Sequence, residues 1–343
     1  MAEPASVVVP LRNRPAPQTL QNHLLAAERA ARTDGSRSLS WIVSAISSAS
    51  KVIAARLRTA GLDGNLGAVG EVNIQGEDQQ ALDVIADEVL IQELQAREGV
   101  VVLGSEENDD LIVVDGPPAH GCRYAVLFDP LNGSSNLDVG GSVGTIFSIY
   151  EVAPGEETDL QAGRRQVAAG YVLYGPSTIF VMTLGHGVDM FVLDPAIGNY
   201  VRAGEQVKIP RRGKIYSVNE ANVEGFPAGY RRFLDNCRRQ GYGSRYAGAM
   251  VADVHRVLLK GGVFLYPPTA MAPNGKLRLM YEANPMAWLI EQAGGRGDTG
   301  NGDILDVEPG SLHERVPVIL GSPQDVAALC AEIARDRHSN GNA

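Results

Sequence analysis

Residues 124–138 read YAVLFDPLNGSSNLD, and the reading of this stretch organises the rest of the chain. Tyr124 to Phe128 form an apolar run, the pattern of a short strand buried on both faces. Asp129 ends it. Pro130, Leu131, Asn132, Gly133, Ser134, Ser135 and Asn136 follow as a tight turn rich in backbone N–H groups. A carboxylate at a strand's end can hold a metal ion while such a turn cradles a phosphate. Standing alone, the same residues would read more readily as a solvated strand exit with an Asx turn.

They do not stand alone. Val100–Leu103 reads as a buried strand running into Glu106 and Glu107, and Lys276–Tyr281 as one running into Glu282. Carboxylates converging from separate strand ends repel one another and are expensive to bury. Multivalent cations resolve that conflict, and oxygen-only ligands suit Mg²⁺ or Mn²⁺ rather than zinc. Lys276 and Arg278 stand two apart, so on a strand they share a face and can meet a phosphate. Metals, phosphate handles and a spare carboxylate together point to phosphoryl transfer to water.

Composition is compatible with this. At 343 residues, 44% hydrophobic and 20% charged, the chain has room for two domains with cores of their own. A net charge of −10 argues against nucleic acid or an anionic membrane as the main partner. Cys122, Cys237 and Cys330 are odd in number and widely spaced, which fits reduced thiols in a cytoplasmic protein and excludes a cysteine-built zinc site. No run of 18 apolar residues occurs, and residues 1–20 carry four prolines, so a flexible arm is expected there.

Helical spacing is expected over Leu39–Ala60, capped by Ser36 or Ser38, and again on a face of Leu82, Ile85, Val89 and Leu94. The glycine-rich Gly61–Gly70 between them reads as a loop. Gly141–Glu151 and Val167–Leu184 read as strands turning at Gly175-Pro176 and Gly185-His186-Gly187. A boundary at 210–213 separates an N-terminal domain (21–210) from a C-terminal one (211–335), with a flexible tail at 336–343. In the second half Lys214–Val218 and Val263–Tyr266 read as strands. Tyr230–Arg239 and Gly248–Leu259 read as helices, with a further helix capped by Asn284. Helices and strands mix without strict alternation, so the expected class is a layered α/β fold with mixed sheets.

The segments FDPLNGSSNLD, VGTIFSIY, GKLRLMYEANPMAWLIEQAGG and NIQGEDQQALDV resemble the signature segments of the class I fructose-1,6-bisphosphatase family, in family order. That resemblance, spanning roughly Leu20 to Ala334, implies a five-layer α-β-α-β-α fold and usually a homotetramer. It implies hydrolysis of the 1-phosphate of fructose 1,6-bisphosphate with Mg²⁺, two or more ions per subunit, Mn²⁺ being an alternative. By the same resemblance Glu106, Asp129, Glu282, the carbonyl of Leu131 and Asn132 are metal ligands, and Glu107 with Asp83 activates water. Asn73 and Glu77 sit in a loop that closes over the metals. Gly133, Ser134 and Ser135 clamp the 1-phosphate. Asn219, Arg245, Tyr246 and Tyr266 hold the 6-phosphate, Arg245 reaching in from a neighbouring subunit, and Met250, Lys276 and Arg278 hold the sugar and its phosphates. His255 reads as a structural histidine, and His23, His120, His186 and His313 receive no role.

The chain departs from the family pattern in two places. Family members have DPLDG where this chain has DPLNG, so Asn132 replaces an acidic metal ligand and should weaken one metal site. Glu151 stands where the family's AMP site has an arginine, so AMP inhibition should be weak or absent. The expected activity is therefore a fructose-1,6-bisphosphatase in gluconeogenesis or the Calvin cycle. The alternatives are action on sedoheptulose 1,7-bisphosphate and a silent sugar-phosphate sensor.

Overall fold

The computed structural model describes residues 18–31, 34–63, 68–72, 78–115, 122–156 and 160–340. Asn73, Glu77, most of the expected arm (1–17) and the last three residues of the expected tail lie outside these.

Helices α1 (Leu20–Ala31) and α2 (Asp34–Asp63) open the chain, and a short hairpin of β1 (Ala68–Val72) and β2 (Asp78–Gln80) leads into α3 (Ala81–Gln95). An eight-stranded sheet follows, built from β3 (Val100–Ser105), β4 (Ile112–Val113), β5 (Arg123–Asn132), β6 (Val143–Val152), β7 (Gln166–Tyr174), β8 (Thr178–Thr183), β9 (Asp189–Asp194) and β10 (Asn199–Gly204). Its order is β10-β9-β8-β7-β6-β5-β3-β4, antiparallel throughout except for the parallel pair β3–β5.

The second half contains β11 (Ile215–Ser217), α4 (Ala228–Arg239), β12 (Gly243–Ser244), α5 (Met250–Lys260), β13 (Val263–Tyr266) and β14 (Leu277–Arg278). It ends with α6 (Asn284–Gln292), β15 (Arg296–Asp298), β16 (Arg315–Val316), β17 (Val318–Gly321) and α7 (Pro323–Asn340). The second sheet runs β12-β11-β13-β17-β15, with parallel and antiparallel pairs, and β14 pairs with β16.

Three cores stack these elements into five layers. Leu24, Ile42, Ile46, Leu82 and Leu90 of α1–α3 pack on one face of the large sheet, against Val126, Phe128, Phe147 and Phe180. Its other face, through Leu127, Ile146 and Tyr171, packs on Val254, Leu258, Met286 and Leu289 of α5 and α6. Those two helices also cover the second sheet, whose far side meets α4 and α7 through Tyr230, Phe233, Leu234, Val326 and Leu329. Strands buried on both faces need apolar residues at every position, which is why β5 and β6 read as continuous runs rather than alternating ones. The α-β-α-β-α expectation holds.

Several boundaries differ from the sequence reading. Gln18 and Thr19 are fixed to β10, where Arg202 N–H donates to the Gln18 carbonyl and Thr19 bridges Val201, and Leu20 is fully buried. The arm therefore ends before them. Helix α2 starts at Asp34, ahead of both candidate capping serines, and α7 continues to Asn340, so residues 336–340 are helical rather than a loose tail. His255 is structural as expected: its Nδ1 meets the Tyr171 hydroxyl at 2.7 Å, and burial depresses its pKa to about 4.

Candidate active site

Strand β5 does not stop at Asp129. It continues to Asn132 through a bulge: Asp129 pairs with Ile146 and Asn132 with Gly144, so the β5 side carries one residue more. Pro130, which has no N–H to give the ladder, sits in that bulge, and its carbonyl accepts the Thr145 hydroxyl at 2.8 Å. In a regular strand, residues three apart face opposite ways. The bulge turns both Asp129 and Asn132 into one cavity. Gly133 then takes φ +80° and opens a 3₁₀ turn, Ser134–Val139, whose first N–H groups have no acceptor within the turn.

The third acidic position corrects the sequence reading. Strand β14 is only two residues long, and Glu282 lies on a π-helical turn, Leu279–Ala283, that runs directly into α6. Asn284 is consequently inside helical geometry, its N–H donating to the Leu279 carbonyl, and it does not cap the helix. Only Glu106, immediately after β3, and Asp129 sit on strand ends or strands. The π turn begins directly after Arg278 and presents Glu282 to the cavity that Arg278, at the end of β14, also lines.

A cavity of about 680 Å³ gathers Asp83, Glu106, Glu107, Asp129, Leu131, Asn132, Gly133, Ser134, Ser135, Tyr246, Met250, Tyr266, Lys276, Arg278 and Glu282. A second recess of about 340 Å³ shares Tyr266 and Lys276 with it and contains Asn219 and Asn222. Arg245 lines neither; its guanidinium donates to the Ser244 carbonyl of its own chain at 2.6 Å. The cavity also contains Gln80, Asp138, Gly248 and Asp253, which the sequence reading missed. Asp253 accepts from the Ala247 N–H at 2.9 Å and the Gly248 N–H at 3.2 Å, so it shapes the loop carrying Tyr246. An acid in the first turn of a helix preceded by a glycine was the available signal.

Arg278 and Asn132 engage the acids. The Arg278 guanidinium lies 3.1 Å from Glu106 and 3.9 Å from Glu282, and its backbone N–H donates to Glu282 at 2.7 Å. The Asn132 amide nitrogen donates to Asp129 at 2.9 Å and to Glu282 at 3.1 Å, while its oxygen accepts the Val251 N–H at 3.1 Å. Asn132 thus offers the acids its nitrogen rather than the oxygen expected of a ligand. Arg278, assigned to the sugar and its phosphates by resemblance, pairs with carboxylates. Burial first, then the facing Glu106 and Glu282, pushes the Asp129 carboxyl well above its ordinary value.

Among the described residues no three His, Cys, Asp or Glu side chains converge as a ready-made metal cage. The chemistry of the donors still fits a hard divalent cation: Glu106, Asp129 and Glu282 are buried and all-oxygen, and the Arg278 guanidinium faces two of them. The three cysteines are free thiols, and no described helix is long and apolar enough to cross a membrane.

Buried carboxylates beside a glycine-led turn, in a layered α/β scaffold, define a phosphoryl-transfer type of site. Residues 18–205 match the family profile "Fructose-1-6-bisphosphatase, N-terminal domain", and residues 209–334 match the corresponding C-terminal domain profile. A protein of Persephonella marina named fructose-1,6-bisphosphatase class 1 is 48% identical over 311 residues, covering 90% of this chain and 96% of its own length. One of the same name from a Sulfurihydrogenibium species is 49% identical over 296 residues, covering 85% and 90%. The crystal structure of Leishmania major fructose-1,6-bisphosphatase in holo form superposes with a TM-score of 0.88 at 38% identity, covering 94% of this chain and 100% of that one. The chain belongs to the class 1 fructose-1,6-bisphosphatase family, whose members are in general metal-dependent.

Proposed function

We propose that the protein hydrolyses the 1-phosphate of fructose 1,6-bisphosphate, giving fructose 6-phosphate and phosphate, with Mg²⁺ or Mn²⁺ bound at two or more positions. The observation that carries this is the continuity of two chemically different recesses. The acidic cavity with its Gly133-Ser134-Ser135 turn shares Tyr266 and Lys276 with the recess containing Asn219, so a short sugar can span them with a phosphate at each end.

In this reading Glu106, Asp129, Glu282, the Leu131 carbonyl and, with its amide oxygen turned toward them, Asn132 would hold the cations. The cations supply Lewis-acid polarisation of the phosphate and of water. The turn from Gly133 to Ser135 donates N–H and hydroxyl groups to the 1-phosphate and fixes its orientation. Glu107 takes the proton of the attacking water. Asp83 assists, one of its oxygens being held in place by the Gln80 N–H at 3.0 Å. Lys276 places a cation between the two recesses, Met250 packs on the sugar, and Tyr246, Tyr266 and Asn219 hold the 6-phosphate, with Arg245 added from a neighbouring subunit of a homotetramer. Arg278, which faces Glu106 and Glu282, would be available to a phosphate oxygen where cations balance those acids. The enzyme would work in the cytoplasm, in gluconeogenesis or the Calvin cycle.

The test is phosphate release from fructose 1,6-bisphosphate and from sedoheptulose 1,7-bisphosphate as Mg²⁺ is titrated. A higher kcat/KM for the fructose ester supports the reading, and a higher value for the heptulose ester replaces it.

A further inference from the structure

The walls of the acidic cavity come from parts of the chain far apart in sequence. One is the turn after β3, holding Glu106 and Glu107; the other is the π turn holding Glu282. Their spacing decides whether the carboxylates can share a cation. Arg278 spans them inside the cavity, and a second connection runs behind it, through a residue that the sequence reading left without a role.

We propose that His313 is a positioning residue that clamps these two turns together. Its Nε2 lies 2.9 Å from the Asn108 carbonyl oxygen and 3.2 Å from that of Asp109, both on the segment that follows Glu107. Carbonyls only accept, so Nε2 carries a proton, and in the neutral imidazole Nδ1 is then the acceptor. The Tyr281 hydroxyl, 2.7 Å from Nδ1, is therefore the donor, and Tyr281 is the residue next to Glu282. The two rings meet edge to face at 5.8 Å, which fixes the imidazole's orientation as well as its tautomer. Tyr281 is fully buried, so its hydroxyl has no water to turn to in place of the imidazole.

The other side of the Glu106–Glu107 turn is braced as well. Asp87 of α3 accepts the Ser105 hydroxyl at 2.5 Å and the Asn108 amide at 3.2 Å, and the Ser105 hydroxyl accepts the Glu107 N–H at 3.2 Å. With Asp87 holding the turn to the helical layer, the His313–Tyr281 pair couples it to Glu282 from behind the cavity, as Arg278 does from within. His313 does not line the cavity, so it acts through Glu106, Glu107 and Glu282 and not on the substrate.

The proposal rests on the bisphosphatase reading for its kinetic arm only. His313→Ala, the volume-conserving Tyr281→Phe and the double variant would be compared with the wild type by calorimetric titration with Mn²⁺ alone, and then by kcat and KM on fructose 1,6-bisphosphate. Partners behind metal ligands typically control affinity by about 10–100-fold. Each single variant should weaken Mn²⁺ binding and lower kcat by at least about tenfold, with KM within about twofold, and the double variant should be no worse than His313→Ala. Tyr281→Phe keeps the test alive if His313→Ala does not fold. Wild-type Mn²⁺ affinity in Tyr281→Phe, or losses that multiply in the double variant, overturns the clamp. A wild type that binds Mn²⁺ but hydrolyses neither ester overturns the substrate reading and leaves the clamp to be judged by Mn²⁺ binding.

Discussion

Replacing Asn132 by aspartate should destabilise the cation-free protein and strengthen its hold on cations. In the structure the Asn132 amide nitrogen donates to two carboxylates, Asp129 at 2.9 Å and Glu282 at 3.1 Å. Hydrogen bonds to charged groups contribute about 1.5–3 kcal/mol each, so removing both costs about 3–6 kcal/mol. The new carboxylate also faces the two old ones, and like charges 4 Å apart repel by about 4 kcal/mol at an effective dielectric of 20. Protonation caps the sum. The facing acids push the introduced carboxyl's pKa up, so the cost is full at neutral pH and above and smaller in acid. Binding a divalent cation reverses the sign, because the added charge then meets a cation instead of two anions. The assay is thermal melting of both proteins in chelator and in saturating Mg²⁺, at pH 6 and pH 8. The variant should melt below the wild type in chelator, by more at pH 8 than at pH 6, and recover or exceed it with Mg²⁺. Equal melting in chelator at pH 8 would show that the amide does not bridge Asp129 and Glu282, and the reasoning would fall with it.

Other substitutions and conditions give sharp expectations. In Gly133→Ala the new Cβ would lie 2.3 Å from the Ala249 Cβ at a φ of +80°, so both crowding and backbone strain apply; a loss of about 2–4 kcal/mol and at least tenfold in kcat is expected from melting and steady-state assays. Glu291, pressed between Asp303 and Arg164, is pushed up to about 7, chiefly by burial and then by Asp303. Its folded form holds the proton more tightly than the unfolded chain, so the stability it adds is complete below about pH 4.5 and is lost as pH rises through about 7. After discounting for solvent screening this amounts to about 1–2 kcal/mol, and Glu291→Gln should flatten the melting-temperature profile across that window. AMP should not inhibit at micromolar concentration, since Glu151 sits exposed on β6 directly opposite Tyr124 on β5; an inhibition assay decides.

The architecture is legible in the sequence where local pattern and burial agree. Strands β5 to β8 announce themselves as apolar runs because helices cover both sheet faces, and the layering follows from elements that mix without alternation. The edges are less legible. Nothing local in Thr19 says that it will bridge Val201, because that pairing is decided 182 residues away. Glu282 reads as a strand end because KLRLMY is apolar at every other position or better, whereas a single π turn, a tertiary choice, carries it into α6. The acids, the Gly133–Ser135 turn and the Lys276–Arg278 pair are legible from local pattern, the remaining site residues only from family order, and the structure brings most of them into one cavity. What neither route gives is the hydrogen bonding: the amide of Asn132 turned nitrogen-first toward the acids, Arg278 between Glu106 and Glu282, and His313 bridging Tyr281 to the Asn108 carbonyl. Side-chain partners across 150 residues leave no periodic trace.

The central claim is tested most directly by phosphate release from fructose 1,6-bisphosphate, measured on the purified chain and on Asn132→Asp while Mg²⁺ is raised from chelator to saturation. The account predicts turnover by both, none in chelator, and a half-saturating Mg²⁺ concentration at least about tenfold lower for the aspartate variant. Turnover undiminished in chelator, or no release from either protein at any Mg²⁺ concentration, would contradict it.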